Sequence, residues 1–186
     1  MRVWSLADPQ IEFVFGRVDD ALKAELQAFW SKHGNAFRME MKAFSDMGEG
    51  NRMLLNPSQR PLRRQPGAIA RSEGGEIIGI VFVFLREVSD ELDLGTHAYF
   101  QRMYVVPEAR NLMLVNQLYK GFLNGFEQAS EQRDHRARAL ISVNNNTGLK
   151  IAYVRRYFAR LGFRLLGENK LGNEVWTKKL QTLFIF

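Results

Sequence analysis

The sequence predicts a mixed α/β domain, one central sheet with helices on its faces. Two observations carry this. Runs rich in β-branched and aromatic residues alternate with segments whose apolar residues recur every three or four positions, so strands and amphipathic helices interleave. The chain has 186 residues, 46% of them hydrophobic and 14 of them Phe, enough for one core but short for two domains of roughly 100–200 residues each. A single domain over residues 1–186 is expected.

Ile11–Val18 (IEFVFGRV) reads as a strand, and Asp19-Asp20 then opens a helix whose stripe is Leu22, Leu26, Phe29 and Trp30. From Ser45 to Gly67 the chain carries Pro57, Pro61, Pro66, three glycines and Arg52, Arg60, Arg63 and Arg64. This is a basic, irregular excursion at about residues 45–67, of a length uncommon unless functional or disordered. Ala68–Ser72 and Glu76–Val88 flank Gly74-Gly75 as a hairpin, and IIGIVFVFL has the composition of a strand buried on both faces and therefore central. Glu87, Asp90, Glu91 and Asp93 make a solvated turn before the strand Thr96–Val106, which Pro107 ends because proline cannot donate to a ladder.

After the loop 107–113, Val115, Leu118, Phe122, Phe126 and Ala129 write a helix whose apolar stripe needs a sheet to cover. Arg138–Val143 is a short strand, and a polar run follows at Asn144-Asn145-Asn146-Thr147. A further helix runs through Leu149, Ala152, Tyr153, Tyr157 and Leu161 to a stop at Gly162. Phe163–Leu166 and Glu174–Leu180 form a closing hairpin around Gly172-Asn173.

The absence of cysteine excludes a disulfide framework, a thiolate nucleophile and thiolate-held zinc or iron–sulfur clusters, and it fits a reducing, cytoplasmic setting. His33 and His135 have no ligand-like neighbours, so no metal site is expected. The N-terminal residues lack the apolar run of a signal peptide, and the longest apolar stretch, Ile77 to Leu85, falls well short of the ~20 residues of a membrane-spanning helix. The sum of 26 Lys+Arg and 20 Asp+Glu is +6, which favours an anionic partner. The common Gly-rich nucleotide motifs and the nucleophile elbow are absent.

The stretch YFQRMYVVPEARNLMLVNQLYKGF, a strand running through a loop with Arg110 into a helix, and the later YVRRYFARLGF resemble the GNAT superfamily of N-acetyltransferases. The resemblance implies a mostly antiparallel sheet flanked by helices, with its central strands splayed where the strand ending at Val106 parts from the one ending at Val143. It implies acetyl-CoA or another acyl-CoA as co-substrate and no metal. The pantetheine arm would add to main-chain groups of Met103, Tyr104 and Val105. The diphosphate would lie on the amides of Arg110, Asn111, Leu112, Met113, Leu114 and Val115 at a helix N-terminus.

Three positions depart from the family's pattern. Met113 and Val115 stand where Gly or Ala is usual, and Phe158 stands where a Tyr commonly protonates the departing thiolate. Tyr157, about 100° away around the helix, is then the candidate acid. Asn146 is the candidate cofactor-contacting asparagine, with Asn144 and Asn145 as alternatives. No Asp or Glu lies between Thr96 and Pro107, which leaves a water assisted by His97 as the candidate base.

The expected activity is direct acyl transfer to an amine, on a small molecule or a protein, with no membrane partner and with nucleic acid not favoured. The alternative is a catalytically inactive relative that uses the same fold to engage a protein or nucleic acid. The apolar tail Leu183-Phe184-Ile185-Phe186 suggests docking on the chain itself or on a second copy in a homodimer.

Overall fold

The computed structural model describes residues 9–45 and 64–181. Most of the basic excursion, with Arg52, Arg60 and Arg63, and the apolar tail at 183–186 lie outside the described residues. In chain order the elements are β1 (Gln10–Phe13), α1 (Asp20–Ser45), β2 (Gln65–Arg71), β3 (Ile77–Glu87), β4 (His97–Val105), α2 (Leu112–Gln128), β5 (Ala137–Asn144), α3 (Ala152–Arg160), β6 (Arg164–Glu168) and β7 (Glu174–Lys179). Among the described residues the strands form one seven-stranded sheet in the order β1-β2-β3-β4-β5-β7-β6. β1–β2, β2–β3, β5–β7 and β6–β7 are antiparallel and β4–β5 is parallel, the mixed, mostly antiparallel sheet that was expected. By contacts the chain divides into two compact units, residues 9–38, 65–83 and 102–132 in one, and 39–45, 64, 84–101 and 133–181 in the other.

In the first unit, α1 starts where Asp19 Oδ1 accepts from the Leu22 amide at 2.8 Å, an N-cap that satisfies one of the free donors of the first turn. Alternation along the strands then sends successive side chains to opposite helices. Phe82 and Tyr104 turn toward α1 and meet Phe37 at 5.7 and 5.5 Å, with Trp30 6.0 Å from Phe82. On the other face Gly79 approaches Leu118 of α2, and Gly67 approaches Phe122. Farther along α2, a Cβ at Gly125 would stand 2.3 Å from the Phe13 ring, so only glycine lets the helix lie this close to β1.

Three boundaries differ from the sequence expectation. β1 is shorter than Ile11–Val18, because the amides of Val14 and Phe15 both converge on the Gly67 carbonyl (2.9 and 3.2 Å) and the chain turns away through Gly16. Pro66 and Gly67, counted with the excursion, belong to β2. A bulge between Pro66 and Ala68 accommodates the proline, and β1, whose pairing stops at Phe13 opposite Ala68, asks nothing of the Pro66 nitrogen. The third difference lies at α3. Leu149 closes a separate 3-10 turn, Thr147–Leu149, because Asn146 Oδ1 takes the Gly148 amide at 2.9 Å, and α3 begins only at Ala152.

In the second unit, β4 pairs with β5 at His97↔Ala137, Tyr99↔Leu140 and Phe100↔Ile141, and β5 continues against β7 to Asn144↔Glu174. α3 has no fully buried residue. It is held by Phe158, stacked on Trp176 at 5.2 Å and edge-on to Phe163 at 5.4 Å, and by Arg155, which bonds Glu174 Oε1 at 2.6 Å. Glu174 is wholly buried and also accepts from Trp176 Nε1 at 3.2 Å. Gly162 follows the helix at φ 84°, the left-handed stop expected there.

Candidate functional site

The junction of β4 with α2 is built from main-chain bonds. Val106 donates its amide to Ile78 of β3 at 2.9 Å, so by alternation the carbonyl of Val105 points to the other edge of the strand. Pro107–Ala109 form a single 3-10 turn, which fits proline at the first position because no donor is needed there. Arg110 then folds back, and its Nε donates to the Val105 carbonyl at 2.8 Å with the guanidinium 5.6 Å from the Tyr104 ring centre.

Asn111 is the N-cap of α2: its Oδ1 accepts from the Leu114 amide at 2.8 Å, and its Nδ2 donates to the Ala109 carbonyl at 3.2 Å. The Val115 amide goes to the Asn111 carbonyl at 3.1 Å. The amides of Leu112 and Met113, the first two of the helix, are left without an acceptor among the described residues. No acidic residue stands in the first turn to compensate the positive end of the helix dipole. Leu112 and Met113 are 75% and 46% exposed, whereas Leu114 is 2% exposed. The methionine at the position usually held by glycine therefore stands in solvent and not in the core. The arrangement offers two amide donors, a guanidinium and a positive dipole end, which together suit an anion with several oxygens.

Of the other expected residues, Met103, Tyr104 and Val105 close β4, with the Tyr104 side chain committed to the aromatic cluster of α1. His97 opens the same strand, its Nδ1 3.0 Å from Thr96 Oγ1. Tyr157 lies half-buried on α3 with its ring edge-on to Phe158 at 6.2 Å. Burial, with a smaller contribution from Tyr153, pushes its hydroxyl above the ordinary tyrosine value.

The three asparagines of the polar run are differently placed. Asn146 is exposed and spends its Oδ1 on Gly148, and Asn145 Oδ1 accepts from Asn173 Nδ2 at 3.3 Å. Asn144 is 7% exposed, and its Nδ2 is buried with no acceptor among the described residues. Sequence spacing does not separate the three, because the signal is a burial difference set by where β5 ends. No group of three or more His, Asp or Glu among the described residues is placed to hold a metal ion, and no described helix is long and apolar enough to cross a membrane.

Several solved acetyltransferases are similar to the chain. A GNAT superfamily phosphinothricin acetyltransferase from Sinorhizobium meliloti, in complex with acetyl-CoA, matches at 19% identity and TM-score 0.44 over 63% of this chain and 61% of that one. The chain thus spans less than two thirds of that protein. A GNAT family acetyltransferase from Streptococcus pneumoniae matches at 16% identity and TM-score 0.44 over 63% and 67% of the two chains. A GNAT family N-acetyltransferase from Escherichia coli, in complex with CoA, matches at 12% identity and TM-score 0.47 over 97% and 86%. No family model matches the sequence, and no curated protein matches it.

Proposed function

We propose that the chain is an acyl-CoA-dependent N-acyltransferase that transfers an acetyl or longer acyl group directly to an amine. The observation that carries the reading is the N-terminus of α2, where the Leu112 and Met113 amides have no acceptor among the described residues and Arg110 stands one residue before the cap. The adjoining strand turns its Val105 carbonyl away from β3, and although Arg110 Nε takes one of its lone pairs, an extended amide-bearing arm can add there through the other. A diphosphate suits the helix end. The residues fit the group despite Met113 and Val115, because the donors are main-chain atoms and Met113 extends outward.

Acyl-CoA supplies the acyl group activated as a thioester. In this reading Leu112, Met113 and Arg110 hold the diphosphate, and Met103–Val105 take the arm. The amine forms its N–C bond as the C–S bond breaks, and its proton passes to solvent. Tyr157 Oη, protonated at neutral pH as any tyrosine hydroxyl is, is the candidate donor to the leaving sulfur. The chain has no cysteine for an acyl-thioester intermediate, which agrees with direct transfer.

The test is a calorimetric titration of acetyl-CoA followed by turnover of a panel of amines. Saturable heat that is lost on Arg110→Ala supports the reading, and no heat and no thermal shift at millimolar acetyl-CoA overturns it. A second reading, an inactive relative engaging a macromolecule, is favoured by Phe158 in the place of the usual tyrosine. Binding of acetyl-CoA without turnover of any amine would select it.

A further inference from the structure

We propose that Arg86, seated on the ring pair of Phe84 and Phe100 with Arg64 beside it, is the recognition point for a small molecule carrying a carboxylate. Phe84 and Arg86 are two apart on β3 and so share a face. Phe100 of β4 stacks on Phe84 with ring centres 5.8 Å apart and planes 9° from parallel. The Arg86 guanidinium carbon lies 4.6 Å from the centre of the Phe84 ring and 6.0 Å from that of Phe100. The charge thus rests on an apolar aromatic shelf.

Three other arginines carry a carboxylate partner that Arg86 lacks among the described residues. Arg71 has Glu12 and Glu25, Arg136 has Asp134, and Arg155 has Glu174. Arg86 has no carboxylate among the described residues, and its Nε is buried without an acceptor. Burial and the like charge of Arg64 both hold its pKa below the ordinary arginine value. A half-buried guanidinium normally brings its own partner, because desolvating a charge is unfavourable. Contact with phenylalanine faces offsets only part of that cost. A bound carboxylate would supply the partner that the described residues lack.

A guanidinium is planar and matches the two oxygens of a carboxylate. Phosphate sites draw instead on main-chain amides and helix ends, and this cluster presents side chains only.

The experiment measures binding of phenylacetate and of its neutral isostere phenylacetamide to the full chain, to Arg86→Leu and to Arg86→Lys. Phenylacetate is expected to bind the unaltered protein at least about tenfold more tightly than the amide. Arg86→Leu removes that preference and melts no lower than the unaltered protein, since it deletes an uncompensated charge; Arg86→Lys keeps part of it. Equal binding of the two probes, no binding of phenylacetate at millimolar concentration, or a preference that survives Arg86→Leu would each overturn the proposal. If Arg86→Leu does not fold, Arg86 has a structural role and the proposal also fails. Titration with acetyl-CoA is read separately: its failure with the carboxylate preference intact removes the acyltransferase reading alone.

Discussion

Arg110 Nε and the Val105 carbonyl oxygen are joined at 2.8 Å, so the cation of the β4–α2 junction is tethered to the strand edge that faces away from β3. The tether places a charge beside two unbonded amides before any ligand arrives. Arg110→Ala is expected to weaken acetyl-CoA binding by roughly 10- to 100-fold, the scale of a lost hydrogen bond to a charged group. Arg110→Lys restores little, because one ammonium cannot hold the carbonyl and also reach a diphosphate. Calorimetry on both variants checks this.

Asn111→Asp separates stability from binding. The carboxylate still caps the Leu114 amide and suits the helix dipole, which offsets the lost Nδ2 bond to the Ala109 carbonyl, so the melting temperature changes little. The same negative charge repels a diphosphate, and acetyl-CoA affinity falls about tenfold or more. Affinity that tracks stability across Asn111→Asp and Asn111→Ala would contradict a ligand at this helix end.

Tyr157→Phe should lower kcat by roughly 10- to 100-fold with little change in KM, as for the loss of a proton donor used only in the transition state. Steady-state kinetics distinguish this from a packing role, which would appear as a lower melting temperature.

Arg155→Ala strands the wholly buried Glu174 carboxylate with Trp176 Nε1 as its remaining donor. A loss of about 2–4 kcal/mol is expected, discounted because the arginine side chain is itself about half exposed. Glu174→Gln combined with Arg155→Ala should cost less than the two changes summed. Urea unfolding of the three variants measures it.

Acid unfolding has a defined contributor in Asp134. Its hydrogen bonds with Arg136 lower its pKa from 3.8 to about 2. The folded value lies below the unfolded one, so the pair's stabilisation is full above pH 3.8 and is lost as pH falls toward 2. Arg136→Ala should therefore unfold more readily than the unaltered protein at pH 7, and the difference should close near pH 2. Chemical denaturation at several pH values tests the convergence.

Much of this was legible in the residues. IIGIVFVFL announced a strand buried on both faces, and the three–four spacing from Val115 to Ala129 announced α2, because burial imposes those patterns directly. Asn111, read in the sequence only as part of the anion loop, is the N-cap of that helix. The boundaries at Phe13, Pro66 and Leu149 were not legible, since each depends on a bond made by a distant or competing group: the Gly67 carbonyl, the edge left by β1, and the Asn146 side chain. Arg86 reads in the sequence as one more basic residue, and only the absence of a facing carboxylate marks it out.

Gly125 seats α2 on the Phe13 ring, and the first amides of the helix lie thirteen residues away, about 20 Å at ~1.5 Å per residue. A methyl group added there would work as a wedge under a pivot: a tilt of about 3° swings the far end through about 1 Å. Misalignment on that scale is enough to cost a reaction about two orders of magnitude. The aim of the helix's first amides is thus set at the opposite end of the rod.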